Sequence, residues 1–238
     1  MNFSIIIPVY NEEKRIPDNI DKIFNFFNKL ADHKIEIIFV NDGSADNTKK
    51  ILEDYKNKYV FQVVEYGTNR GKGYAVKQGV MAANGDWIVF FDIDLATPLE
   101  EFNNLLNHIN TENDIIIGSR RLQGSQIKKS ESKIRTFLGQ GFTKISNILV
   151  PGITDFTCGF KCFSKKSAKT IFSLSQIHKW GFDTEILYIA KLKNFKVKQI
   201  PVSWAHDQDS RVKVFKAIFS SFRELIQMKA NQLKGLYK

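Results

Sequence analysis

The stretch W-I-V-F-F-D-I-D-L-A-T-P, residues 87–98, sets two carboxylates one residue apart where an apolar run stops. The run 87–91 has no polar alternation, so it reads as a strand buried on both faces, the kind found in a parallel sheet covered by helices. Ligands of such sheets bind beyond the carboxyl ends of the strands, which is where Asp92 and Asp94 stand. Like charges this close repel, and a divalent cation relieves the repulsion best; hard oxygen ligands select Mg²⁺ or Mn²⁺. An EF-hand is excluded, because Thr97 occupies its glycine position and Asn103 the position of its final Glu.

Working outward, apolar runs at 4–9, 35–40, 60–65 and 114–118 read as further strands, and 17–31, 46–55, 73–83 and 98–109 carry helical spacing between them. A β-α-β-α series of this kind predicts a Rossmann-like three-layer α/β/α sandwich with a mostly parallel central sheet. After Arg121 a polar, basic connector, Q-G-S-Q-I-K-K-S-E-S-K, leads to a helix over 134–149 with Phe137, Leu138, Phe142 and Ile145 on one face. A strand over 159–163, helices over 165–174 and 182–192, a strand over 196–204 and a helix from 212 complete the order.

The 238 residues, 43% hydrophobic, suffice for one large α/β domain. Thirty-five Lys and Arg against 25 Asp and Glu leave a net charge of +10, which points to an anionic partner. The two cysteines, Cys158 and Cys162, make neither a zinc site nor a disulfide framework and read as reduced packing residues in a cytoplasmic compartment. The N-terminal apolar run is too short for a signal peptide, and no uninterrupted stretch of about 18 apolar residues predicts a transmembrane helix. Membrane contact, if made, is expected to be peripheral.

Three more polar clusters fall at strand ends. P-V-Y-N-E (8–12) places Tyr10 as a flat surface for a ring, and V-N-D-G-S-A-D-N-T (40–48) places Asp42 to accept an N–H from a base edge; the latter also reads as a turn feeding a helix capped by Ser44 or Asp46. N-R-G-K-G (69–73) precedes a helix, where exposed amides and Lys72 suit phosphate, although its spacing and Gly73 exclude a P-loop.

In this order P-V-Y-N-E, N-D-G-S-A-D-N-T, N-x-G-K-G, F-F-D-I-D and I-I-G-S-R-R resemble the nucleotide-sugar half of family 2 glycosyltransferases of the GT-A fold. Further on, I-R-T-F-L-G-Q-G-F, D-F-T-C-G-F-K-C-F, K-W-G-F-D-T-E-I-L-Y-I-A and V-S-W resemble the dolichyl-phosphate glucosyltransferase branch, with the dolichyl-phosphate mannose synthases as cousins. The resemblance implies that Pro8, Tyr10, Glu12 and Asp42 hold the nucleoside, that Asp92 and Asp94 meet ribose, diphosphate and metal, and that Arg120 and Arg135 bind an acceptor phosphate. Two departures stand out. Ala96 replaces a Gln that helps ligate metal in the mannose synthases, and Asp209, Ser210 and Arg211 replace a G-S-K, so that Arg211 keeps the cation but not the glycine.

The function expected is inverting transfer of a sugar from a nucleotide sugar, UDP-glucose before GDP-mannose, to a polyprenyl phosphate. Such an acceptor is already an anion and needs cations to orient it. A sugar hydroxyl on a cell-surface glycan is the alternative acceptor and would need a base, for which Asp183 or Glu185 is placed; both also read as a first-turn pair favoured by the helix dipole. Asp155 reads either as an acceptor-orienting residue or as a turn cap.

The division expected is a domain over 1–211, with a nucleotide-sugar half to 121 and an acceptor half from 122, followed by a basic amphipathic helix over 212–238. Phe215, Ile218, Phe219, Phe222, Leu225, Ile226 and Leu233 make one apolar stripe of that helix, flanked by lysines. It reads equally as a helix packed on its own domain and as one lying on anionic lipid at the inner face of a membrane. Two other classes fit worse. Aspartyl-phosphate hydrolases want Thr or Val at Ala96, and a nucleic-acid-binding module wants basic residues gathered on one reading element with aromatics for stacking, whereas the clusters here are acidic and sit at strand ends. A homodimer is left open.

Overall fold

The computed structural model describes residues 1–129, 133–179, 181–205 and 214–238. Seven strands form one sheet: β1 (Asn2–Val9), β2 (Lys34–Asn41), β3 (Gln62–Glu65), β4 (Trp87–Phe90), β5 (Ile115–Ser119), β7 (Lys161–Ser164) and β8 (Val197–Pro201). Their order is β3-β2-β1-β4-β7-β5-β8, and a small second sheet pairs β6 (Gln126–Lys129) with β9 (Ser203–Ala205). Neighbours in the large sheet run parallel except β7, which is antiparallel to both β4 and β5.

Burial explains the unbroken apolar runs. Ile6, Ile38, Val40, Ile88, Phe90, Ile115 and Ile117 join one core, while Ile5, Ile7, Ile37, Phe39, Val89 and Ile116 join the other, so successive residues of one strand feed opposite faces. The first face is covered by α3 (Lys72–Ala82), α6 (Lys165–Leu174) and α7 (Phe182–Leu192), and the second by α1 (Arg15–Phe27) and α4 (Glu101–Leu106), with Leu52 of α2 (Thr48–Tyr55). This is the expected three-layer sandwich.

Several elements differ from expectation in extent. β3 starts at Gln62 because Val60 is 97% exposed. The helix expected over 98–109 is α helical only from Glu101 to Leu106, its flanks closing with i to i+3 bonds such as Phe102 N to Leu99 O. The polar connector contains β6, whose Gln126 and Ile127 register with Ser203 and Trp204.

The C-terminal part changes most. In α8 (Val214–Leu233) the expected single stripe divides: Leu225 and Met228 enter the first core with Tyr237, while Ile226 (74% exposed) and Leu233 (88%) face outward. The described part of the helix is therefore an integral piece of the domain that also shows apolar residues among the exposed Arg223, Lys229 and Lys234. α5 (Lys133–Leu149) packs beside it, burying Phe142. The structural half of the expectation for Phe215, Ile218, Phe219 and Phe222 lies outside the described side chains. No described helix is long and apolar enough to cross a membrane.

Candidate functional site

Because β1, β2, β3 and β4 all run parallel, the loops that follow them leave at one edge of the sheet, and the four polar clusters meet there. The first two are laced together. Asn11, in the left-handed region at φ 54°, donates its N–H to Ser44 Oγ (2.9 Å) and accepts from Ala45 N (2.8 Å), and Glu12 N donates to Thr48 Oγ1 (2.8 Å). Asp46 rather than Ser44 serves the helix start, accepting from Thr48 N and Glu13 N. Glu12 itself receives Arg15 Nη1 on both oxygens, at 2.9 and 3.0 Å. Tyr10 is left 45% exposed beside them, next to Pro8 at the end of β1.

Asp42 is buried and saturated. Its Oδ1 accepts from Tyr66 Oη and Arg70 N (both 2.8 Å), and its Oδ2 from Asn69 Nδ2 and Gly71 N (both 2.9 Å). The carboxylate thus fastens the N-R-G-K-G loop to the end of β2, and burial together with that charge pushes the Tyr66 phenol upward. Close approach is what Gly43 permits: with φ +65°, a Cβ there would lie 2.3 Å from the Thr68 carbonyl carbon.

That loop delivers Lys72, whose Nζ stands 2.5 Å from Asp92 Oδ1. Burial alone would lower the ammonium's pKa, but Asp92, Asp183 and Asp94 outweigh it and hold Lys72 charged. Asp94 follows in a tight turn with Leu95 at φ 51°; its Oδ1 accepts from Ala96 N (3.0 Å), and its Oδ2 has no partner among the described residues. Burial, then the Asp92 charge, raises the Asp94 carboxyl above the ordinary range. From the other side Gly159 approaches so closely that a Cβ would lie 2.3 Å from Asp92 Oδ2.

The donor set fits a divalent cation: two hard carboxylates, one oxygen without a partner, and a repulsion that a cation removes. Among the described residues no group of three or more His, Cys, Asp or Glu that could hold a metal ion converges on one point. With Ala96 at its position, no third protein ligand comes from this turn.

Arg120 follows β5 and forks onto Asp155, with Nε 2.7 Å from Oδ2 and Nη2 2.9 Å from Oδ1. Nη2 also meets Thr157 Oγ1 (2.8 Å), and the guanidinium lies 5.1 Å from the Trp204 ring centroid. Burial would raise the Asp155 carboxyl, but Arg120 holds it well below the usual carboxylate range. Arg211 lies outside the described residues, as does the side chain of Arg135.

The two candidate bases differ sharply. Glu185 is fully buried and accepts from Gln176 N (3.0 Å), Ile177 N (2.8 Å) and Tyr237 Oη (2.5 Å), so it pins a loop and the chain's C-terminal turn. Asp183 sits at the site, its Oδ1 accepting from Lys161 Nζ at 2.5 Å. Burial raises its carboxyl, opposed by Lys161 and Lys72. Sequence reasoning overlooked Lys161, Gly159 and Tyr66; the signal for Lys161 was its place inside an apolar strand buried on both faces.

The family model for glycosyl transferase family 2 matches residues 4–172. A dolichyl-phosphate beta-glucosyltransferase of Dictyostelium discoideum is 33% identical over 99% of this chain and 76% of its own length. The Homo sapiens dolichyl-phosphate beta-glucosyltransferase is 31% identical over 99% of this chain and 77% of its own. Among solved structures, glucosyl-3-phosphoglycerate synthase from Mycobacterium tuberculosis, in complex with Mn²⁺, UDP and phosphoglyceric acid, superposes with a TM-score of 0.71 at 20% identity, over 95% of this chain and 78% of that one. At that identity the likeness is one of fold, the GT-A sandwich.

Proposed function

Since the chain belongs to glycosyl transferase family 2, we propose that it moves glucose from UDP-glucose to dolichyl phosphate with inversion at the anomeric carbon. The observation that carries this reading is the near full-length identity with proteins named dolichyl-phosphate beta-glucosyltransferases. A β-linked product from an α-linked nucleotide sugar requires inversion. Nothing in the comparisons supports GDP-mannose as donor.

In this reading the exposed Tyr10 ring, with Pro8 and Glu12, receives the nucleoside, and Asp42 shapes that pocket by holding the 69–71 loop against it. Departure of UDP builds negative charge on the diphosphate. Lys72 presents an ammonium to that charge from a position fixed by Asp92. Asp94 and Asp92 would hold Mg²⁺ or Mn²⁺, which supplies Lewis-acid stabilisation of the leaving diphosphate when bound. Arg120, fixed by its fork to Asp155, offers an oriented cation to the acceptor phosphate, with Arg135 and Arg211 as its expected companions.

A phosphate acceptor brings its own negative charge and requires no proton to be removed, so Asp183 acts through its charge. The raised Asp183 carboxyl favours a second reading, a hydroxyl acceptor with Asp183 as base. The outer face of α8, with Ile226 and Leu233 among cations, supports peripheral contact with an anionic bilayer that holds the acceptor. The test is a panel of nucleotide sugars offered with dolichyl phosphate: UDP-glucose is expected to be consumed and GDP-mannose to be untouched, and the reverse pattern refutes the donor assignment.

A further inference from the structure

Lys161 is a lysine with no solvent exposure, seated in β7 between Phe90 of β4 and Ile117 of β5, the strands that lead to Asp92 and Arg120. Taking an ammonium out of water costs several kcal/mol unless it is paired and hydrogen-bonded. Lys161 has both partners: Asp183 Oδ1 and the Cys158 carbonyl, each 2.5 Å from Nζ. The Phe90 ring lies 5.5 Å from Nζ, and apolar residues in place of the whole ion pair would pack as well, so packing alone does not call for a charge here.

What the ammonium adds is control over Asp183. Its Oδ1 is taken, while Oδ2 has no hydrogen-bond partner among the described residues, and the chain neighbours of the two groups touch: a Cβ on Gly73, next to Lys72, would lie 2.6 Å from the Cβ of Phe182, next to Asp183. Charges therefore alternate from the interior outward: Lys161, Asp183, Lys72, Asp92. The same short segment also brings Gly159 against Asp92, so the lead-in to β7 touches the donor carboxylate at one residue and anchors Asp183 two residues later.

We propose that Lys161 is a positioning residue for the transfer: fixed inside the sheet, it orients Asp183, and Asp183 orients Lys72 beside Asp92, where the leaving diphosphate gains charge. The inference rests on the proposed donor site. It assigns Lys161 no contact with substrate, so its removal acts on turnover more than on nucleotide binding.

The test uses the full chain as wild type, Lys161→Met, Asp183→Asn and the double variant, each assayed for glucose transfer from UDP-glucose to dolichyl phosphate and, without acceptor, for UDP-glucose binding by calorimetry with Mn²⁺. Each single variant is expected to lose about 30-fold or more in kcat with UDP-glucose affinity within about threefold of wild type, and the double to be no worse than the poorer single, as for residues acting as one unit. A folded Lys161→Met with wild-type kcat, or losses that multiply in the double, overturns the proposal. Should either single variant not fold, the double, which buries no lone charge, is compared with wild type: a loss of about 30-fold or more in kcat at retained UDP-glucose affinity supports the proposal and wild-type kcat overturns it. Wild type that ignores UDP-glucose refutes the function reading instead, and the variants are then scored on the donor it uses.

Discussion

Arg120 and Asp155 meet in a two-pronged ion pair, 35 residues apart in the chain, with the carboxylate fully buried and Nε at 2.7 Å. A third bond, from the Arg120 backbone N–H at 3.1 Å, ties the end of β5 to the same carboxylate. The pair is thus a joint between the sheet edge and the segment that carries Gly159 and Lys161.

Its pH dependence follows from the lowered Asp155 carboxyl. A group that binds its proton less readily when folded stabilises the fold above the unfolded pKa, about 3.9, and loses that contribution as pH falls toward the folded value. Asp155→Asn has no such dependence at this site and takes the charge out of the two-pronged bond to the half-buried Arg120 side chain, at a cost of about 1–3 kcal/mol near neutrality. Urea unfolding of both proteins from pH 7 down to pH 3 is expected to show the gap narrowing below about pH 4. A gap that stays constant across the range contradicts the assignment.

Gly159→Ala puts a methyl 2.3 Å from Asp92 Oδ2. Either the carboxylate turns away, breaking its contact with Lys72, or the 155–161 segment shifts. Both outcomes predict a loss of about 100-fold in kcat/KM, with a stability change of about 1–3 kcal/mol. Wild-type kinetics in a folded variant would show that Asp92 tolerates displacement.

Asp94→Asn removes an ionised ligand at the turn where burial and Asp92 already make negative charge costly, so the variant is expected to be as stable as wild type or more so. Activity is expected to fall by about 100-fold or more. Excess chelator is expected to stop the wild type, and Mg²⁺ or Mn²⁺ to restore it. Full turnover in chelator refutes metal use.

For α8 the structure separates two effects that a simple deletion would mix. Removing 223–238 takes Leu225, Met228 and Tyr237 out of the core and is expected to unfold the domain. Replacing Ile226 and Leu233 with Glu leaves that face intact while it removes exposed apolar surface and adds negative charge. Flotation with vesicles containing anionic lipid is expected to show weaker binding, and transfer to dolichyl phosphate in vesicles to fall more than transfer to a short detergent-dissolved acceptor. Unchanged flotation would place membrane contact elsewhere.

Legibility in the sequence followed burial and range. Runs such as 87–91 and 114–118 announced strands because parallel strands covered on both faces need no polar residue, and α6 and α7 ended where expected. The direction of β7 was not readable, since a strand between two helices carries no mark of which way it runs. β6 escaped because its four residues are mostly polar, and Gln126 and Ile127 are exposed. At the site the strand-end carboxylates were visible as residues, but their partners were not: Asp42 answers to 66–71, Arg120 to Asp155, and Glu185 to Tyr237, 52 residues on. Such pairs exist only once the sheet has assembled its edge.

Transfer of glucose to a lipid phosphate and transfer to a hydroxyl leave different products, and one measurement separates them. Labelled UDP-glucose is offered with dolichyl phosphate and, separately, with dolichol, in the presence of Mg²⁺, and the lipid phase is followed by label and by phosphorus NMR. Label is expected in the lipid phase only with dolichyl phosphate, accompanied by conversion of the phosphate monoester to a diester. Equal labelling of dolichol, or label in the lipid with the monoester untouched, contradicts it.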